Sequence, residues 1–267
     1  MCMKINKHIK EINENGFCII KGLFEKKYIQ KVTKELDNLS PKAYLPFTKI
    51  PWGYGNLNNN KMFQKILDSK LLNNIFKEFF KTNEYSNNHL ILQNKVSLLG
   101  PSVEWHQEIY NINTYAPGYT HKDWKNFLQV YIAVDNQNLK NGCLKVVKGS
   151  HKFGKQKSYD IINDHLNHKR AINYNCLSKL LLKCDIVDCI LNPGDAIIFN
   201  HLLVHGSPSN YSNKPRRSFV LQIRKNLKKK NIKIFQQETK YRSNFIIKEL
   251  QKKIKSLKKK NIYKDFK

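Results

Sequence analysis

The sequence predicts a mainly β domain with flanking helices, and three observations carry that reading. Between residues 89 and 224, short runs of β-branched and aromatic residues alternate with turn signals, the pattern of a sandwich or barrel. Stretches with helical periodicity lie before that region, at about 24–39 and 61–81. Hydrophobic residues make up 40% of the 267 positions, enough for a sizeable core in a domain of this length.

Residues 16–21 (Gly-Phe-Cys-Ile-Ile-Lys) read as a short strand. Phe24 to Leu39 reads as a helix with Ile29, Val32, Leu36 and Leu39 on one stripe. Pro41, Pro46, Pro51 and a cluster of asparagines make 40–60 a long loop, and a lid over a site is one use for it. Met62, Ile66, Leu71, Ile75 and Phe79 then recur at helical spacing over 61–81. Strands are expected at 89–98, 102–110, 127–134, 143–148, 186–191, 195–199, 202–206 and 217–224, with a helix near 174–183 inside the ambiguous stretch 158–185. Asn141-Gly142 is a hairpin signal, and Pro193-Gly194-Asp195 marks a turn between two apolar runs. Near Lys225 the composition changes. Residues 225–267 hold 16 basic and 3 acidic residues, so +13 of the net charge of +28 lies there. The expected organisation is a domain over 1–224 and a basic helical extension over 225–267, with Ile247, Leu250, Ile254 and Leu257 on the apolar face of a helix at 244–260.

The charge does not by itself imply a nucleic-acid partner. Of the 48 basic residues 43 are lysine, whereas base recognition favours the planar fork of arginine; a solvated lysine surface accounts for the excess. No apolar run reaches the roughly 18 residues a membrane span needs, and Met1-Cys2-Met3-Lys4 opens no signal-like stretch. The six cysteines show no CxxC spacing, as expected of reduced thiols in a cytoplasmic protein. The sequence assigns no oligomeric state.

One constellation carries chemistry. His106 and Glu108, in Trp105-His106-Gln107-Glu108, are two apart, and on a strand that spacing puts both on one face. His205 would complete two histidines and one carboxylate, a set that holds non-haem Fe(II) and leaves positions open for a co-substrate and O2. A chelating 2-oxo acid needs a cation for its far carboxylate, and arginine's fork fits best. Arg216 lies eleven residues after His205, across the turn 206–215, and shares a strand face with Ser218. His121-Lys122-Asp123 is a competing triplet, but it follows Pro117-Gly118 without strand patterning. His201, four residues before His205 on the expected strand, suits a buried supporting role. Arg217 would point away from Arg216, His151 reads as structural, and His165 and His168 read as surface residues.

These segments resemble the phytanoyl-CoA dioxygenase family of Fe(II)/2-oxoglutarate oxygenases. The likeness rests on Trp105–Glu108, Asn141–Lys152, Pro193–Phe199, and Val204–Ser207 with Asn210, Ser212 and Arg216, in the family's order. It implies a double-stranded β-helix (jelly roll, cupin-like), iron on His106, Glu108 and His205, and 2-oxoglutarate on Arg216 and Ser218. In relatives a polar residue on the strand before the first histidine also contacts the oxo acid, which points to Gln93, with Lys95 as the other candidate. The family usually carries aspartate where this chain has Glu108. A small residue there would have suggested a halogenase; Glu108 argues for hydroxylation or a related oxidation, with release of succinate and CO2, and the Tyr-, Asn- and Trp-rich segment 109–127 suits a pocket for a small polar or anionic substrate. Two other readings stay open at this point: a non-catalytic jelly-roll metal-binding protein, and a nucleic-acid binder acting through its basic tail.

Overall fold

Alternation along the strands decides the architecture. The computed structural model of the protein describes residues 2–36, 38–39, 41, 43–44, 49, 51–54, 57, 60–111, 121–161 and 170–226. Its strands are β1 (Phe17–Ile20), β2 (Ala43–Tyr44), β3 (Pro51–Tyr54), β4 (Tyr85–Lys95), β5 (Val103–His106), β6 (Phe127–Ala133), β7 (Lys145–Val147), β8 (Ser158–Asp160), β9 (Arg170–Ile172), β10 (Ile186–Asp188), β11 (Ala196–Asn200), β12 (His205–Ser207) and β13 (Arg216–Lys225). Its helices are α1 (Cys2–Asn15), α2 (Lys26–Leu36), α3 (Lys61–Leu67), α4 (Lys70–Phe80) and α5 (Tyr174–Leu181). A seven-stranded sheet runs β1-β11-β6-β13-β4-β3-β2 and a four-stranded sheet runs β10-β7-β12-β5. Together they form the jelly roll of a double-stranded β-helix.

The large sheet has two differently used faces because successive side chains point to opposite sides. Leu90 and Leu92, Leu128, Val130 and Ile132, Ile198, Phe219, Leu221 and Ile223 pack outward under the helices, against Ile12, Ile29, Val32, Phe63, Ile75 and Phe76. Phe63 is fully buried, with its ring 5.2 Å from that of Phe219; burial of such a side chain contributes about 1.5–3 kcal/mol. The alternate residues, Tyr131, Ala133, Ile197, Phe199 and Val220, face inward and meet Val146 and Val187 of the small sheet. The interior of the barrel is therefore lined by odd-numbered residues of β4 and β6 and even-numbered residues of β13, and the polar residues expected at the site occupy this inner set.

Several elements differ from expectation. The periodic stretch 61–81 is two helices, because Ser69 caps α4 by accepting from the Leu72 N–H at 3.5 Å, while Asn60 caps α3 through Met62 N at 2.9 Å. A cap breaks the chain's direction without breaking the apolar period. The loop 40–60 contains the short antiparallel pair β2 and β3, which extends the large sheet past β4. Helix α1, with Ile12 in the core, was not expected from the sequence, although Ile5, Ile9 and Ile12 have helical spacing.

Asn141-Gly142 is a turn but not a hairpin: it passes the chain from β6 in the large sheet to β7 in the small one. Gly142 has φ +72°, and a Cβ there would lie 2.3 Å from the Pro208 carbonyl oxygen. The Pro193-Gly194-Asp195 turn returns the chain from β10 to β11. It is pinned by the buried Asp195 carboxylate, which accepts from Gly22 N at 2.8 Å, Asn192 N at 2.9 Å and Lys21 Nζ at 2.9 Å. The helix expected at 174–183 is α5, whose Leu177 and Leu180 pack against Val147 and Val204. Among the described residues no helix is long and apolar enough to cross a membrane. The helix expected at 244–260, along with residues 112–120, His165 and His168, lies outside the described residues.

Candidate metal centre

Strand pairing places the two imidazoles. Strands β12 and β5 are antiparallel neighbours with His205 directly opposite His106, and their ring centroids are 4.2 Å apart. His106 Nδ1 lies 2.7 Å from the Glu104 carbonyl and His205 Nδ1 lies 2.9 Å from the Leu203 carbonyl. A carbonyl only accepts, so each Nδ1 carries a proton and each Nε2 is turned toward Glu108, where it donates to the carboxylate when protonated and offers a lone pair to a cation when not. The carbonyls thus hold both rings in the tautomer a cation requires.

Glu108 reaches the same point by a route the strand pattern did not foresee. Strand β5 ends at His106, and Glu108 opens a 3-10 turn over Glu108–Asn111, so the shared strand face is not what unites them. Gln107 makes the bend. Its buried amide donates to Leu202 O at 2.6 Å and Gly154 O at 3.0 Å, and its carbonyl accepts from Gln156 N at 2.8 Å. Glu108 Oε1 then lies 3.8 Å from His106 Nε2 and 3.5 Å from His205 Nε2, and one ligand atom from each residue lies within 4.8 Å of the others. Burial pushes the Glu108 carboxyl pKa up, but hydrogen bonds and charge from His106 and His205 outweigh it and hold it well below the usual carboxylate range. Burial and the neighbouring His106 lower His205, against the pull of Glu108. An ionised carboxylate beside neutral imidazole is the protonation state that binds a divalent ion. All three side chains are buried, and a mixed N/N/O set with no thiolate suits iron better than softer ions.

The inner face of the large sheet supplies a second polar group. Arg216 is 3% exposed, yet its Nε and Nη1 have no hydrogen-bond partner among the described residues. Burial lowers its pKa; a buried cation without an anion is costly. Its neighbour Arg217 points the other way and forms a fork with Asp135, Nε to Oδ2 at 2.9 Å and Nη2 to Oδ1 at 2.8 Å. Of the two arginines, Arg216 is the one whose guanidinium is left for an anion. Ser218, two residues on and fully buried, accepts from Gln137 Nε2 at 2.8 Å, which leaves its own O–H to donate. Gln93 is the β4 partner of Ser218, and Lys95 is the partner of Arg216. Lys95 is otherwise engaged: Nζ donates to Ser207 Oγ at 2.6 Å and Pro208 O at 2.5 Å. Burial, then the charge of Arg216, push its pKa down to about 6.

Three residues at the site escaped the sequence reading or were misplaced by it. Gln129 donates to Glu108 Oε1 at 3.1 Å; the signal was an amide inside the apolar run Phe127-Leu128-Gln129-Val130-Tyr131. Tyr131 lies in electrostatic reach of both Glu108 and Arg216, which bridges the two halves of the site. His201 is not on β12 but in the turn after β11; it is fully buried and stacked on Phe127 at 4.9 Å. His121 begins a 3-10 turn, His121–Asn126, and is not on a strand. His151 is buried at the foot of α1, its Nε2 3.0 Å from Asn13 O. A cleft of about 550 Å³ between α2 and the 212–215 turn holds the Asp135–Arg217 pair and none of the ligand candidates.

The phytanoyl-CoA dioxygenase (PhyH) family model matches residues 12–218. The chain belongs to this family. It is 28% identical over 102 residues to a phytanoyl-CoA dioxygenase domain-containing protein 1 homolog of Caenorhabditis elegans, covering 37% of this chain and 35% of that protein. It is 28% identical over 122 residues to a 2-aminoethylphosphonate dioxygenase from the uncultured bacterium HF130_AEPn_1, covering 46% of this chain and 39% of the relative. These matches span little more than a third of each relative's length. The fold is similar to that of EctD from S. alaskensis, whose crystal structure holds 2-oxoglutarate and 5-hydroxyectoine; the TM-score is 0.67 at 17% identity, over 83% of this chain and 77% of EctD.

Proposed function

We propose that the protein is an Fe(II)/2-oxoglutarate-dependent dioxygenase that hydroxylates a C–H bond of a small polar or anionic metabolite, releasing succinate and CO2. One observation carries this reading: a buried guanidinium with unpartnered N–H groups and a buried His-His-Glu cluster face one barrel interior, with Tyr131 in reach of both. A protein that only bound a metal would have no use for that cation, and a buried unpaired charge would be selected away.

In this reading His106, Glu108 and His205 hold the iron, and the bound iron supplies O2 activation coupled to oxidative decarboxylation of the oxo acid. Arg216 pairs with the distal carboxylate of 2-oxoglutarate, Ser218 donates to the same carboxylate, and Gln93 lines its flank. Fixing the far end of the oxo acid at Arg216 and Ser218 would hold the molecule in one orientation toward His106, Glu108 and His205. The lowered pKa values of Glu108 and His205 both favour the protonation states that bind a divalent ion. The closed, apolar wall of Phe199, Val146 and Val220 excludes water around the reacting centre.

One relative's name supports the substrate class: it is a 2-aminoethylphosphonate dioxygenase. The same reading keeps the chain in the cytoplasm, supported by free buried thiols at Cys143 and Cys189. The test is succinate formation from 2-oxoglutarate under air, with Fe(II) and a panel of small anionic and zwitterionic compounds. Turnover that is iron-dependent and lost in His106→Ala/His205→Ala is expected. Equal iron binding by that variant and the wild type would refute the ligand assignment.

A further inference from the structure

Helix α1 and strand β1 bring together a second group of ligating side chains, distinct from the centre at His106. His8 and Glu11 are three apart on α1 and therefore share a face, with His8 Nδ1 3.6 Å from Glu11 Oε2. Cys18 is on β1 and points outward with Ile20 into the helix-covered core. One ligand atom from each of the three lies within 4.8 Å of the others.

Three features distinguish this group from an ordinary helix pair over a core cysteine. His8 Nδ1 is buried and has no hydrogen-bond partner among the described residues, and a buried nitrogen left unpaired costs about 1–3 kcal/mol. Glu11 lies against Cys18 closely enough that, after burial, its charge is the next influence raising the thiol's pKa. A carboxylate and a sulfur placed side by side repel as anions, so the Cys18 thiol stays protonated until a cation stabilises both charges. A backbone hydrogen bond from Ile198 to the sulfur favours the thiolate, as outer N–H donors do in metal–thiolate centres. Lys7 Nζ, the nearest alternative partner of Glu11, stands 4.0 Å from Oε1 and is largely exposed, so it does not neutralise the cluster.

We propose that His8, Glu11 and Cys18 form a second divalent-cation site that takes Zn(II). One imidazole, one carboxylate and one thiolate are a donor set for a borderline-soft tetrahedral ion, whereas the thiolate-free centre at His106 suits iron. Glu11 is 31% exposed, so water has access to supply the remaining ligand. Binding releases the Cys18 thiol proton to solvent as the S–metal bond forms, with no change of oxidation state. The ion joins α1 to the first strand of the large sheet and acts as a structural clip.

The test is a Co(II) titration of the full-length, metal-free protein under reducing, anaerobic conditions. The wild type is expected to develop a thiolate-to-cobalt charge-transfer band, which the centre at His106, having no sulfur, cannot produce. Cys18→Ser should lose that band while keeping the other equivalent of Co(II). His8→Gln, a change at a half-buried helix position, should weaken the band-forming site by more than the roughly 100-fold at the top of the range that loss of an outer partner costs. Zn(II) should displace the Co(II) and raise the unfolding temperature of the wild type by more than that of Cys18→Ser, which keeps only the centre at His106. Absence of the band in the wild type, or its persistence in Cys18→Ser, would overturn the proposal. An unchanged His8→Gln titration would also do so, and that arm stands even if Cys18→Ser fails to fold.

Discussion

Gln129, on a strand of the large sheet, donates a 3.1 Å hydrogen bond to Oε1 of Glu108, which follows a strand of the small sheet. The bond crosses the barrel interior and lands on the oxygen that stands nearest both imidazoles. It holds the flexible glutamate side chain in one position. Replacing Gln129 by Leu removes the donor and leaves Glu108 freer to swing. Metal affinity should fall about 10–100-fold, the usual cost of losing an outer partner, with little loss of thermal stability in the metal-free protein. Isothermal titration with Co(II) in a Cys18→Ser background reads this directly.

Arg216 carries the opposite expectation for stability and activity. Arg216→Met removes a buried, partly unpartnered cation, so the metal-free protein should be as stable as wild type or more so. The Michaelis constant for 2-oxoglutarate should rise by roughly 10–100-fold, in keeping with the roughly 1.5–3 kcal/mol of a hydrogen bond to a charged group. Added 2-oxoglutarate should raise the unfolding temperature of the wild type but not of the variant. Thermal melts with and without the oxo acid, beside succinate assays, check both halves.

His201 makes stability depend on pH. Burial lowers its pKa to about 4, with Glu108 pulling it up and His205 pushing it down; an unfolded histidine titrates near 6.5. Between those values the unfolded chain binds a proton that the folded chain refuses. Stability is therefore full above about pH 6.5, falls as pH drops toward about 4, and levels off below that. The loss is up to about 3 kcal/mol by the linkage relation. Urea unfolding across this range should show that slope in the wild type and a shallower one in His201→Gln.

Asn210 holds the turn between β12 and β13. Its amide donates to Lys95 O at 3.0 Å, Val96 O at 3.1 Å and Lys214 O at 2.8 Å, and its carbonyl accepts from Ser212 N at 2.9 Å. Asn210→Ala strands buried carbonyls and should cost about 2–4 kcal/mol. Because the turn delivers Arg216, 2-oxoglutarate affinity should drop with it, whereas Co(II) binding at His106, Glu108 and His205 should not. Denaturant melts and paired titrations separate the two effects.

The sequence by itself determined what depends on local chemistry: the strand-rich region and its turns, the amphipathic helices, and the residue types of the candidate site. His106, Glu108, His205, Arg216 and Ser218 were legible as candidates because donor type and spacing are properties of the chain, whereas Gln93 was a candidate only through the family resemblance. Reasons that needed long-range contacts were not legible. Glu108 meets His106 through a bend locked by Gln107 to Leu202 and Gly154, not through the pleat of one strand. His205 meets His106 because β12 pairs with β5 in register, and no local pattern specifies register between strands so far apart. The Asn141-Gly142 turn carries the chain between sheets, since a turn signal states where the chain bends and not which strand it then joins. Gln129, Tyr131 and His201 acquired their places at the site only when the two sheets closed over one interior. The convergence of His8, Glu11 and Cys18 likewise depends on how α1 lies on β1, which tertiary packing alone decides.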